Sequence, residues 1–274
     1  MAKKIFSLED SRAFALLSGD ANPIHVDALA ARRLLYGRSL VHGIHSLLWG
    51  LDQHVGEARI KAVPAAITVT FSRPVFHGDA VTSSVTESKS PDEFRFSVLC
   101  RDADAAQVRL KAGTDTATHS NEWTPAPAIP LDDLTCVELS DDDMADKSGT
   151  FPLGLDVERL AKIFPALAAT EWLGTVAMLL GLTRLVGMEC PGLHSIFASL
   201  KMNCTGNGPA SLRYGVKRWD ARFQSLSLNV DAGRWSGTVG AIVRPSPVAQ
   251  PSISEIKANV KLAGLEGRHA LVIG

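Results

Sequence analysis

Apolar residues recur at helical spacing three times near the start of the chain and then give way to alternating runs. The spacing predicts helices over 8–17, 27–35 and 40–54. A proline at position 64 breaks the helical pattern. Strands are then predicted over 66–76, 80–87, 93–101 and 106–117. The first of these runs alternates between apolar and polar residues, as expected for a strand that is buried on one face.

The same order of elements returns in the second half of the chain. Helices are predicted over 155–164 and 168–185, and Pro191 ends the helical pattern. Strands are then predicted over 193–203, 210–219, 222–230 and 234–243. A helix followed by four strands therefore occurs twice, with little residue identity between the copies. This order predicts an α+β fold in which antiparallel sheets wrap around central helices.

The remaining segments predict connections between and after these two units. Residues 120–150 combine prolines with an acidic run at 141–143, which predicts a partly solvated linker. We therefore expect one repeat over 1–119 and another over 151–245. Residues 246–274 begin as a proline-rich linker and end in an apolar run. That run predicts either an ordinary C-terminal strand or the first strand of a truncated Rossmann domain.

Composition narrows the class of protein. Hydrophobic residues make up 46% of the chain and charged residues 21%, with a net charge of -1. This profile is typical of a globular protein, and it predicts neither a nucleic-acid partner nor a membrane partner. The most apolar stretch, 172–188, contains Arg184 and several glycines. It therefore predicts a buried helix rather than a membrane span, which needs about 20 apolar residues.

The cysteines and the N-terminus suggest a compartment. Cys100, Cys136, Cys190 and Cys204 show no paired C-x-x-C spacing, so a zinc site is not expected. No apolar signal-peptide core follows the N-terminal lysines. We therefore expect a cytoplasmic protein whose thiols are reduced.

One polar segment carries candidate chemistry, Ser18-Gly19-Asp20-Ala21-Asn22-Pro23-Ile24-His25. Gly19 permits an unusual backbone turn, and Pro23 restricts Asn22 to an extended conformation. These constraints would turn Asp20 and His25 toward one point. A carboxylate and an imidazole that share one water could add it across an activated double bond. Asp and Asn are also common loop formers, so the motif alone favours a surface turn.

The surrounding sequence favours the chemical interpretation. Segment 14–25, followed by Ala31 and by Leu40-Val41-His42-Gly43-Ile44, resembles the signature of the MaoC-like, hydratase-2 type (R)-specific enoyl-CoA hydratases. The second half resembles that family only in the order of its elements. The resemblance implies a double hot-dog fold. It also implies reversible hydration of a trans-2-enoyl thioester to an (R)-3-hydroxyacyl thioester, without metal or redox cofactor.

The resemblance also implies roles for particular residues. Asp20 and His25 would hold the catalytic water and move protons. The backbone N–H of Gly43, at a helix N-terminus, would bind the thioester oxygen as enolate charge develops, and physics favours that placement. Asn22 would fix the loop, with Ser18 and His42 in support. The second half lacks the loop, so one active site per chain is expected.

Several assignments stay open at this level. His42 is more often a structural histidine than a catalytic one, and Asp27 is expected to cap the following helix. Arg73, Lys201 and Arg213 could meet a phosphate of coenzyme A or phosphopantetheine, or lie on ordinary solvated surface.

Partners and alternative functions also stay open. The thioester carrier could be coenzyme A or an acyl carrier protein, and a monomer and a homodimer are both consistent with a doubled chain. A fused short-chain dehydrogenase domain would favour dehydration. The alternatives in function are a non-catalytic acyl-thioester binding or scaffold module and a hot-dog thioesterase.

Overall fold

A computed structural model describes residues 2–60, 62–88, 90–113, 123–126, 130–247, 251–259, 267 and 269. The elements of the first half are β1 (Lys3–Ile5), α1 (Leu8–Ser18), α2 (Pro23–Val26), α3 (Ala28–Arg32), α4 (Gly43–Gly56), β2 (Pro64–Phe71), β3 (Ala80–Thr86), β4 (Glu93–Cys100) and β5 (Ala103–Ala112). Those that follow are β6 (Thr124–Pro125), α5 (Asp141–Ala145), β7 (Ser148–Pro152), β8 (Gly154–Leu155), α6 (Val157–Ile163), α7 (Pro165–Ala168), α8 (Leu173–Arg184), β9 (Ser195–Cys204), β10 (Ser211–Asp220), β11 (Ser225–Ala232), β12 (Trp235–Val243) and α9 (Ile253–Asn259). The α+β class predicted from the sequence is confirmed.

One ten-stranded sheet joins the two halves, in the order β1-β3-β4-β5-β2-β9-β12-β11-β10-β7. The halves meet where β2 pairs antiparallel with β9, in a register that sets Val69 opposite Leu200. Both of these side chains are buried. The two predicted sheets are therefore one continuous surface, and the long helices α4 and α8 contact each other.

Helix α4 packs its apolar face into the core. Ile44, Leu47, Leu48 and Leu51 are fully buried, as the helical spacing predicts. The helix begins at Gly43 rather than at the predicted position 40. The residues before it form extended pairs instead, since Leu40 bridges to Phe76 and the Val41 N–H donates to the Val75 oxygen at 2.8 Å.

Helix α8 is the apolar stretch of the second half, and its burial is confirmed. It continues into a π-helical turn, Leu185–Glu189, closed by a hydrogen bond from the Cys190 N–H to the Leu185 oxygen at 2.8 Å. Such turns widen a helix and often lie at functional sites. Among the described helices, none is both long and apolar enough to cross a membrane.

The fourth strand of the first half lies earlier than its sequence pattern predicts. It was expected over 106–117 and spans Ala103–Ala112. The reason is a tight turn in which Arg101 and Asp102 both have positive φ, 52° and 59°. Two adjacent left-handed residues close a two-residue hairpin with the twist that strands prefer, although glycine usually occupies these positions.

The predicted connectors contain short ordered elements. The expected linker 120–150 carries β6, a 3₁₀ turn at Leu131–Asp133, α5 and the start of the edge strand β7. Ser140 begins α5 with a capping box to Asp143. The predicted C-terminal strand at 270–274 lies outside the described residues. The four cysteines are free in the structure.

Candidate active site

The Asp20 loop, residues 19–22, joins two helix ends. Gly19 ends α1 in the left-handed conformation, with φ 72°, and its N–H donates to the Ala15 oxygen at 2.8 Å. Asn22 caps α2 by accepting from the Ile24 N–H at 3.3 Å, and Pro23 occupies the first helical position. His25 therefore lies on a short helix rather than in the predicted loop, and local turn chemistry sets its distance from Asp20.

The Asp20 carboxylate is buried, with 2% of the residue exposed. Its Oδ2 accepts from the Thr183 hydroxyl at 2.6 Å, and its Oδ1 accepts from the Asn22 N–H at 3.3 Å. Burial raises the pKa of this carboxyl, whereas the charge interaction with His25 and these two hydrogen bonds oppose the rise. A carboxyl whose pKa is raised toward neutrality is suited to exchanging protons.

The His25 ring is oriented by the backbone. Its Nδ1 lies 3.0 Å from the Leu40 oxygen. A carbonyl oxygen can only accept, so Nδ1 carries the proton and Nε2 keeps its lone pair. Burial lowers the pKa of His25 to about 3. His25 is therefore a neutral imidazole near pH 7, with one nitrogen available to accept a proton.

His42 supports the Asp20 loop through a hydrogen bond to its backbone. The residue is fully buried, and its Nε2 donates to the Asp20 backbone oxygen at 3.0 Å. Its ring stacks on His25, with 3.9 Å between ring centroids. Burial also lowers the pKa of His42 to about 3. These contacts fit the structural role that the sequence favoured for this residue.

Gly43 is the first residue of α4, so the unpaired N–H groups of that helix end lie at this point. Gly43 lines the same cavity as Asp20 and His25. A Cβ atom added at Gly43 would lie 3.0 Å from Cε1 of Phe71, which shows how closely that ring packs on the helix end. The helix N-terminus favours negative charge, as an oxyanion site requires.

Both halves of the chain form the wall of the cavity. The second half contributes Thr183, Val186, Gly187, Ser195, Ile196, Phe197, Ala198 and Ile242. The wall is mostly apolar with a few convergent polar groups, which is typical of a site for a small organic molecule.

Of the other residues predicted from the sequence, some lie at the cavity and some lie away from it. Ser18 accepts from the Asp20 N–H at 3.2 Å and so supports the loop. Arg73 lines the cavity and is exposed. Lys201 is exposed outside the cavity lining, and Arg213 pairs with Asp231 at 2.9 Å, so neither is brought to the cavity. Asp27 caps α3, as predicted, by accepting from the N–H groups of residues 29 and 30.

Sequence reasoning missed the part of the site that the second half supplies. Thr183 contacts Asp20 directly. The Asn22 Nδ2 lies within hydrogen-bonding distance of the backbone oxygens of Gly187, Gly192 and Leu193, at 3.0, 3.2 and 3.2 Å. No local sequence signal singled out Thr183, because the same helix carries a second buried threonine, Thr175.

Asp20, His25 and His42 place one ligand atom each within 4.8 Å of one another, a spacing that could hold a metal ion. However, the His25 and His42 rings are stacked, and their planes differ by only 26°. Two nearly parallel planes do not intersect at a point close to both rings. An imidazole binds a metal through an in-plane lone pair. The arrangement therefore favours acid–base chemistry over metal binding.

Acid should destabilise this protein at pH values where most globular proteins are still stable. The pKa values of His25, His42 and His45 are about 3 in the folded protein, against an ordinary value of 6.5. Between these pH values the unfolded chain binds more protons than the folded protein. The contribution of these histidines to the free energy of unfolding is therefore largest above pH 6.5 and falls as the pH drops toward 3. The raised pKa values of Asp20 and Asp52 oppose this loss.

Urea unfolding at pH 7 and pH 5 measures this effect. The variant His45→Phe should weaken the pH dependence by about one proton. The aromatic ring fits there because His45 stacks on Phe14 at 4.5 Å and meets Phe164 edge-on. Equal unfolding free energies of the wild-type protein at the two pH values would contradict the prediction.

Comparison with known proteins finds similarity in the first half of the chain. Residues 3–103 match the family model described as a MaoC like domain. The (R)-specific enoyl-CoA hydratase of Aeromonas caviae is 38% identical over 86 residues, which are 30% of this chain and 62% of that protein. A mitochondrial 3-hydroxyacyl-[acyl-carrier-protein] dehydratase of Arabidopsis thaliana is 32% identical over 103 residues, 35% of this chain and 61% of that protein.

A third curated relative gives the same picture. The 3-hydroxybutyryl-CoA dehydratase of Methylorubrum extorquens is 33% identical over 102 residues, 36% of this chain and 64% of that protein. The chain thus spans less than two thirds of the length of these relatives.

Solved structures extend the likeness to both halves. A MaoC-like dehydratase superposes with a TM-score of 0.56 at 14% identity, over 89% of this chain and 96% of that one. A Mycobacterium tuberculosis protein described as having a double hotdog fold gives a TM-score of 0.56 at 14% identity, over 88% and 93%. At such identities the likeness concerns the fold. The chain therefore has the double hot-dog fold, and residues 3–103 are similar to a MaoC-like domain.

Proposed function

We propose that this protein catalyses the reversible hydration of a trans-2-enoyl thioester to an (R)-3-hydroxyacyl thioester. The observation that carries the proposal is the meeting of Asp20, His25 and the Gly43 helix end in one cavity. The names of the three curated relatives, a hydratase and two dehydratases of acyl thioesters, support the same reaction class.

The geometry suggests how the reaction proceeds. A water between the Asp20 carboxyl and the free Nε2 of His25 loses a proton to this pair as its oxygen bonds to C3 of the enoyl group. The electrons of the double bond move toward the thioester oxygen, where the Gly43 N–H stabilises the developing negative charge. The proton gained by the pair is then delivered to C2, which completes the addition of one water. Dehydration follows the same steps in reverse.

The position of Arg73 indicates the side of the cavity at which the thioester carrier would bind. It is exposed and lines the cavity together with Ser72 and Pro74, which follow strand β2. A guanidinium group binds phosphate well, so we place a phosphate of coenzyme A or phosphopantetheine on this side of the cavity. Lys201 and Arg213 are left out of this role because neither lines the cavity.

The test is an assay with the purified protein and crotonyl-CoA. Loss of the conjugated-thioester absorbance is expected, and a product oxidised only by an (R)-specific 3-hydroxyacyl dehydrogenase would establish the stereochemistry. A panel of chain lengths, as coenzyme A and carrier-protein thioesters, would define the carrier.

Other outcomes distinguish the alternatives. Release of free thiol would indicate a thioesterase, and binding without turnover would indicate a scaffold module. Absence of turnover with every enoyl thioester in the panel would overturn the proposal.

A further inference from the structure

We propose that Thr183, supplied by the second half of the chain, is a positioning residue that holds the Asp20 carboxylate in place for the reaction. This inference rests on the proposed function. It also assigns the second half, which lacks the Asp20 loop, a direct part in the acid–base pair.

The hydrogen bond between Thr183 and Asp20 is short and buried. The Thr183 hydroxyl donates to Oδ2 of Asp20 at 2.6 Å, and the two residues are 4% and 2% exposed. A hydroxyl-to-carboxylate bond of this length is charge-assisted and stronger than a neutral hydrogen bond. Both residues line the cavity, so the bond acts where the carboxylate would meet the substrate.

The segment that follows Thr183 is shaped around the same carboxylate. A Cβ atom added at Gly187 would lie 2.2 Å from Oδ1 of Asp20, so only glycine leaves room for the carboxylate there. The Ala21 N–H points at Sδ of Met188, at 3.2 Å. Together with the Asn22 contact to the Gly187 oxygen, these interactions hold the Asp20 loop against the end of α8.

A second threonine on the same helix shows what Thr183 does beyond packing. Thr175 lies about two turns earlier in α8 and is 1% exposed. Its hydroxyl has no hydrogen-bond partner within the part of the chain that the structure describes. Helix α8 therefore tolerates a buried threonine whose hydroxyl makes no hydrogen bond to the rest of the protein. The hydrogen bond from Thr183 is thus not needed to bury a threonine in this helix, and it acts on Asp20.

The test compares Thr183→Val with the matched control Thr175→Val. The first variant removes the hydroxyl at nearly constant volume, and kcat should fall about 10- to 100-fold while KM changes little, as for loss of a hydrogen bond to a charged group. The acid limb of kcat/KM against pH should move to higher pH, because the lost hydrogen bond no longer lowers the pKa of Asp20. Thr183→Ser should restore most of the activity, and Thr175→Val should behave as wild type.

A Thr183→Val enzyme with the kcat and acid limb of Thr175→Val would overturn the inference. If Thr183→Val unfolds, Thr183→Ala takes its place in the same comparison. An inactive wild-type protein would overturn the proposed function instead. In that case carboxyl NMR titration of Asp20 still decides, because an unchanged Asp20 pKa in Thr183→Val would refute the coupling.

Discussion

Replacing Asp20 with asparagine, or His25 with alanine, is expected to slow enoyl-thioester hydration by about 10²–10⁴-fold, the usual contribution of a positioned acid or base. The asparagine side chain would keep the shape of the carboxylate, so the loss in Asp20→Asn would report proton transfer rather than packing. The double variant should lose little more than either single one, because residues that act as a unit are not additive. Initial rates with crotonyl-CoA measure the effect.

A nearby carboxylate provides the control. Asp27 caps α3 and is exposed, and asparagine caps a helix about as well as aspartate. Asp27→Asn should therefore retain the wild-type rate and stability. Full activity in both Asp20→Asn and His25→Ala would show that this pair does not perform the chemistry.

Substituting Gly187 with alanine is expected to be nearly as damaging, although this residue carries no reactive group. The added Cβ would lie 2.2 Å from Oδ1 and 2.5 Å from Cγ of Asp20, far inside normal contact. Either the carboxylate turns away from His25 or the π-helical turn moves. A displacement of about 1 Å in a catalytic group can cost about 10²-fold in rate, so we expect a loss of at least that size.

Gly181→Ala separates this effect from simple overpacking. Gly181 lies in α8, before the π-helical turn that contains Gly187, and its added Cβ would lie 2.6 Å from Cδ2 of Leu153 rather than against Asp20. Both variants should be destabilised by about 1–3 kcal/mol, the usual cost of overpacking. Only Gly187→Ala should lose kcat at temperatures where both variants are folded. Equal kcat values in the two variants would exclude a special role for Gly187.

The Asp20 loop was predictable because its geometry is local. Asp20 and His25 are separated by a few residues, and the left-handed Gly19 and the Asn22-Pro23 helix start set the turn between them. The Asp27 cap was predictable for the same reason, since its partners are its immediate neighbours. Motif and family resemblance therefore identified one wall of the cavity, including Gly43.

Where neighbouring segments compete for the same residues, local patterns were less reliable. The spacing of apolar residues extended α4 back to position 40, whereas pairing with the segment around Phe76 keeps Leu40 and Val41 extended. A hairpin between β4 and β5 needs positive φ, and Arg101 and Asp102 adopt it without glycine as a signal. Tertiary pairing decided both boundaries.

The sequence by itself determined the apolar periodicity of helices and strands, the duplication of a helix and four strands, and the Asp20–His25 motif. These features depend on residues close to one another along the chain. Only the tertiary structure decided that β2 pairs with β9 and that Thr183 reaches Asp20, a contact between residues 163 positions apart. Such contacts depend on sheet register and helix packing across the whole core, which no local pattern of residues encodes.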